Sequence, residues 1–150
     1  MRARPIYSIR MTIDGAPRML VVDDDASVRD FVARTLQTAG YDVVVAADGC
    51  EALEITEQRG PFDGFVVDFF MPGMSGSELA LKIFLIEPDA RILYFTGFAD
   101  RLFDEKTTLR KHEAFVEKPL TMKGLLEAVS LLLHGDLRDV DKARRPERSS

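Results

Sequence analysis

Asp68 ends the apolar run Phe65-Val66-Val67, and Phe69-Phe70-Met71-Pro72-Gly73-Met74-Ser75-Gly76 follows at once. A run that stops at a carboxylate and then breaks on Pro and Gly predicts a buried strand that delivers one acid to its C-terminal edge. Asp23 and Asp24 stand in the same relation to Met19-Leu20-Val21-Val22, with Asp25 behind them. If the two strands are neighbours, three carboxylates meet at one rim and repel one another unless a cation sits among them. That chemistry points to a metal-assisted phosphate site.

The elements that must position these acids alternate along the chain. Strands are expected at Met19–Asp23, Tyr41–Ala46, Phe62–Asp68, Ala90–Thr96 and Ala114–Glu117. The run Ile92-Leu93-Tyr94-Phe95 reads as buried on both faces. Between and after the strands, five helices are expected. In the first, Val28, Phe31, Val32, Thr35, Leu36 and Ala39 share a face, Asp25 or Ser27 caps the start and Gly40 the stop. The second runs over about 48–59, with Cys50 as a small packing residue. The third runs over about 75–86 and stops before Pro88. The fourth spans about 98–110, and the fifth, over about 120–134, carries Leu125, Leu126, Val129, Leu132 and Leu133. Short connections between strands and helices imply an α/β fold, a parallel sheet covered on both sides. Ligands of such sheets lie outside the C-terminal strand ends, where strand order reverses. Asp23, Asp24, Asp68, Thr96 and Lys118 all fall on that rim.

The 150 residues suffice for one domain with a sizeable core. The net charge of −5 argues against nucleic acid as the main partner. Cys50 stands alone, which excludes an intrachain disulfide and fits a reducing compartment. No apolar stretch is long enough to span a bilayer, and the N-terminus lacks the apolar centre of a signal peptide. The expectation is a cytoplasmic chain: an irregular extension over 1–17, one domain over 18–134 and a polar tail over 135–150, with no second domain.

Val22-Asp23-Asp24, Asp68 followed by Met71-Pro72-Gly73-Met74-Ser75-Gly76, Thr96-Gly97 and Lys118-Pro119 together resemble a response-regulator receiver domain of two-component signalling, of the CheY-like kind. The resemblance runs from about Pro17 to His134. It implies a flavodoxin-like, doubly wound, five-stranded parallel sheet of order 2-1-3-4-5 with five flanking helices. It implies Asp68 as phosphoacceptor, and Mg²⁺ held by Asp23, Asp24, Asp68 and the backbone carbonyl of Phe70. Thr96 matches the switch hydroxyl, Lys118 the phosphoryl contact and Phe115 the switch aromatic; a cis Lys118–Pro119 bond is also implied. The implied partners are a sensor histidine kinase or histidine phosphotransfer protein and a downstream effector. Dimerisation through the face of the fourth helix, fifth strand and fifth helix is implied as well.

Two positions depart from the usual family pattern. Phe70 and Phe98 stand where polar residues often flank the attacking water, which leads to the expectation of a long-lived phosphoryl group. The third helix is also unusually apolar, with Leu79, Leu81, Ile83, Phe84, Leu85 and Ile86. Phe115 has a plain reading as a core residue beside its switch role. His112 and His134 read as surface residues away from the rim. The competing function is a haloacid-dehalogenase-type phosphatase, since Asp23-Asp24-Asp25-Ala26-Ser27 fits DxDx[ST] with Asp23 as nucleophile.

Overall fold

The computed structural model describes residues 15–97, 109–110, 112–118 and 120–135. Its elements in chain order are β1 (Arg18–Val22), α1 (Ala26–Thr38), β2 (Asp42–Ala46), α2 (Gly49–Arg59), β3 (Gly64–Asp68), α3 (Gly76–Ile86), β4 (Ile92–Thr96), β5 (Glu113–Glu117) and α4 (Met122–His134). The strands form one sheet in the order β2-β1-β3-β4-β5, every pair parallel. This is the expected 2-1-3-4-5 order. Four of the five expected helices lie among the described residues; the one expected over 98–110 falls almost wholly outside them, as do most of the N-terminal extension and the tail. No helix among the described residues is long and apolar enough to cross a membrane.

Strand residues point alternately to opposite faces, so each strand feeds two cores. Leu20, Val22, Phe65, Val67, Ile92 and Tyr94 pack under α2 and α3 with Leu79 and Ile83. Met19, Val21, Val66, Leu93 and Phe95 pack under α1 and α4 with Leu36, Leu125 and Leu132. β3 and β4 are buried along their whole length, which is why their sequences are continuous apolar runs.

Capping fixes the helix starts. Asp25 accepts from the N–H groups of Ser27 and Val28, and Thr121 from that of Gly124. Ser75 and Glu78 form a reciprocal capping box at α3. Thr121 therefore sets the start of α4 at Met122 rather than Leu120. Three expected strands are shorter for similar reasons, the second because the Tyr41 N–H is taken by the Leu36 carbonyl at 3.0 Å. The Phe62 N–H is taken by the Glu87 carboxylate, at 3.2 Å, and the Ala90 N–H by the Glu87 carbonyl in a turn.

The helix faces bring two corrections, in α2 and α1. Cys50 is exposed, because α2 buries the stripe Gly49, Ala52, Thr56 and Cys50 lies off it. Phe31 is 36% exposed at the flank of α1, and Ala39 is exposed. α3 buries Leu79, Ala80 and Ile83 but leaves Leu81 and Leu85 to solvent.

A polar contact sits inside this apolar frame. The Tyr94 hydroxyl donates to Glu113 Oε2, while Glu113 Oε1 accepts from the Arg110 N–H at 2.7 Å. The Arg110 guanidinium lies 4.4 Å from the centroid of the Phe84 ring. Burial and the adjacent carboxylate both push the Tyr94 phenol far above its usual range, burial more strongly. Tyr94→Phe removes one hydrogen bond to a buried carboxylate. It should lower the unfolding free energy by about 1.5–3 kcal/mol, measured by urea titration, with the m-value unchanged.

Candidate functional site

The sheet register brings the acids together. Val22 pairs with Val67, so the next residues, Asp23 and Asp68, emerge side by side at the crevice where strand order reverses. Asp23 is fully buried and Asp68 nearly so. Asp24 is exposed at the outer lip. Asp23, Asp24 and Asp68 each offer a carboxylate oxygen, and these oxygens lie within 4.8 Å of one another. Asp23 Oδ1 accepts from the Asp25 N–H at 2.9 Å. Its Oδ2 is buried with no hydrogen-bond partner. An orphaned carboxylate oxygen beside two more acids fits a hard divalent cation such as Mg²⁺.

The other two strands supply the remaining groups. Phe95 pairs with Asp68, which sets Thr96 at the end of β4, buried. The Lys118 N–H donates to the Thr96 carbonyl at 2.8 Å, just past the end of β5. Lys118 Nζ lies 3.8 Å from Asp68 Oδ1 and 5.1 Å from the centroid of the Phe95 ring. The expected rim set, Asp23, Asp24, Asp68, Thr96 and Lys118, thus occupies one end of the sheet. Phe115 pairs with Tyr94 and is half-buried against the core under α2 and α3. His112 and His134 belong to the opposite end of the sheet, at the start of β5 and the end of α4. Pro119 and Phe98 lie outside the described residues, and with them the expected cis bond and half of the expected aromatic pair.

The acceptor loop is held from below. The Phe70 N–H lies 3.4 Å from Asp68 Oδ1. The Phe70 ring meets Phe69 edge-on at 4.8 Å, and the fully buried Phe69 meets Tyr94 edge-on at 5.2 Å. Gly76 donates its N–H to the Phe69 carbonyl at 2.7 Å. A Cβ at position 76 would stand 2.7 Å from the Asp68 carbonyl oxygen, so only glycine lets α3 approach this closely.

Sequence reasoning passes over two parts of this neighbourhood. Arg29 Nη1 donates to the Asp23 main-chain carbonyl at 2.7 Å. An apolar groove of about 500 Å³, lined by Ser27, Val28, Phe31, Lys118 and Leu120, opens beside Lys118. Nothing in the sequence announces that groove, because Phe31 reads there as one of the apolar face of the first helix.

Electrostatics follow from the crowding. Burial, and then the Asp23 charge, raise Asp68 to about 7, against the pull of Lys118. Burial also raises Asp23, opposed first by the Asp25 N–H and then by Lys118.

The comparisons with known proteins agree with this geometry. The model of the response regulator receiver domain matches residues 19–130. This chain belongs to that family. The receiver is 31% identical to the response regulator receiver protein CpdR of Brucella abortus over 116 residues, 77% of this chain and 96% of CpdR. It is 34% identical to the sensor kinase CckA of the same species over 122 residues, 81% of this chain. It spans only 13% of that kinase's length. Among solved structures, it is similar to TrrA of Thermotoga maritima in complex with Mg²⁺–BeF. The TM-score is 0.69 at 33% identity, covering 78% of this chain and 99% of TrrA. Membership of the receiver family sets aside the phosphatase reading with Asp23 as nucleophile.

Asp68 holds its proton in the fold to about pH 7 but releases it near its usual 3.8 when unfolded. Between those values the folded chain binds more protons than the unfolded chain. The metal-free protein should therefore be most stable, as far as this group is concerned, below pH 3.8, and should lose that contribution as pH rises to about 7. Thermal unfolding across this window checks it, and Asp68→Asn should flatten the slope.

Proposed function

We propose that this receiver accepts a phosphoryl group on Asp68 from the phosphohistidine of a sensor histidine kinase or histidine phosphotransfer protein. The observation that carries the reading is the trio Asp23, Asp24 and Asp68 within 4.8 Å, faced by Lys118 at 3.8 Å. An Asp68 carboxylate oxygen attacks phosphorus as the bond from phosphorus to the donor imidazole breaks. The bonding pair returns to the imidazole nitrogen, and Asp68 becomes an acyl phosphate. Such transfers depend on alignment and charge neutralisation more than on further covalent help.

Asp23, Asp24, Asp68 and the Phe70 carbonyl would hold Mg²⁺, which supplies charge neutralisation at the phosphoryl oxygens. Lys118 offers a compact cation on the opposite side. The Thr96 hydroxyl moves to donate to a phosphoryl oxygen, and Phe115 turns inward into the space it leaves. The face formed by β5 and α4 then changes, biasing an equilibrium already present. That altered face is read by an effector, by a second copy of the chain or by the next phosphotransfer partner. The apolar groove beside Lys118 gives the donor protein a place to rest within reach of Asp68. The unit that does this is residues 18–134, in keeping with the family match over 19–130.

Incubation with acetyl phosphate and Mg²⁺ tests the reading by intact mass. The chain should gain the mass of one phosphoryl group, and Asp68→Asn should gain none. A label that persists in Asp68→Asn, or one that never forms in the wild type, rejects the assignment.

The phosphoryl group is also expected to be long-lived. The Phe70 ring is half-buried beside the acceptor and offers an approaching water no hydrogen bond. Phe70→Asn should shorten the lifetime several-fold, followed by loss of the phosphoryl mass after the donor is removed. Decay of the wild type within seconds would defeat this expectation.

A further inference from the structure

We infer that Arg29 is a positioning residue for the acidic pair, fixing through the Asp23 carbonyl the turn that aims Asp23 and Asp24 at the metal position. The inference rests on the phosphoacceptor reading above. Arg29 lies in the first turn of α1, where the helix presents its positive end and a cation is disfavoured. No acid occupies that turn. The guanidinium instead reaches back, half-buried, and Nη1 meets the Asp23 carbonyl oxygen at 2.7 Å.

That carbonyl belongs to the peptide plane joining Asp23 to Asp24, so holding it restricts both residues at once. The Asp23 N–H is tied to the Ala46 carbonyl at 3.2 Å, across to β2. The Asp25 N–H is tied to Asp23 Oδ1 at 2.9 Å, and the Arg29 N–H to the Asp25 carbonyl at 2.9 Å. Arg29 supplies the one tie to the Asp23 carbonyl among the described residues. Asp24 depends on it most. No hydrogen bond or ion pair among the described residues holds the Asp24 carboxylate, so the backbone, which sets where its Cβ points, is the constraint left on its reach. The planar, fork-shaped guanidinium suits this reach along the turn. Lys118 already provides the cation facing Asp68, so Arg29 acts through geometry at a carbonyl rather than as a second counter-charge.

Removing partners that orient metal ligands typically weakens metal binding about 10–100-fold. Calorimetric titration of the full chain with Mg²⁺, beside thermal unfolding without metal, tests the role. Arg29→Met should raise the Mg²⁺ Kd about tenfold or more. Arg29→Lys keeps a donor on a long stem and should recover part of the affinity. A purely structural role would lower the metal-free Tm and leave Kd unchanged in chain that is still folded. If Arg29→Met does not fold, Arg29→Gln, whose amide falls short of the carbonyl, is read the same way. Wild-type uptake of Mg²⁺ together with an unchanged Kd in the variant overturns the inference alone. A wild-type chain that takes up no Mg²⁺ overturns the phosphoacceptor reading and the inference with it.

Discussion

Two carboxylates, Asp23 and Asp68, are buried side by side at the end of a sheet, and most of the site follows from that adjacency. Like charges at this spacing in a poorly polarisable surrounding do not both ionise without help. The fold answers with an ammonium 3.8 Å from Asp68 and backbone N–H groups turned to one oxygen of each acid, and it leaves the other Asp23 oxygen orphaned beside a third acid. Each answer is partial. The site is left wanting positive charge, and that unmet demand is its chemical resource.

Sheet register, rather than loop design, creates the adjacency. β1 and β3 pair in parallel from Met19 with Gly64 up to Val22 with Val67. Slipping either strand by one residue would turn each of its side chains to the other face and part the acids. The packing of Leu20 and Val22 on one side, and Met19 and Val21 on the other, therefore holds the chemistry in place. α3 contributes from the other direction, since its glycine start lies against the acceptor loop.

The rim residues were legible because apolar runs that end in an acid, a threonine or a lysine are local signals. Asp68, Asp23, Thr96 and Lys118 are each readable within a few residues, and family motifs supplied their order. The sheet followed from alternation and the helix starts from caps. What escaped depends on contacts distant in sequence. Glu113 falls outside the expected fifth strand, and its place is seen only when Tyr94, 19 residues away, is found donating to it. Arg29 looks like an ordinary exposed arginine of an amphipathic helix until its reach to the Asp23 carbonyl is seen. Cys50 was misplaced because α2 is short and buries only small residues, so its inner face has weak periodicity.

The tie among Tyr94, Glu113, Arg110 and Phe84 has a mechanical consequence. It clamps the entry end of β5 to the middle of β4 and to α3, while the exit end carries Lys118 at the charged rim. β5 is laddered to β4 along its whole length, so the clamp adds a side-chain anchor at one end of a strand whose other end carries a charge. Loosening that anchor would leave the strand's position to the backbone ladder alone.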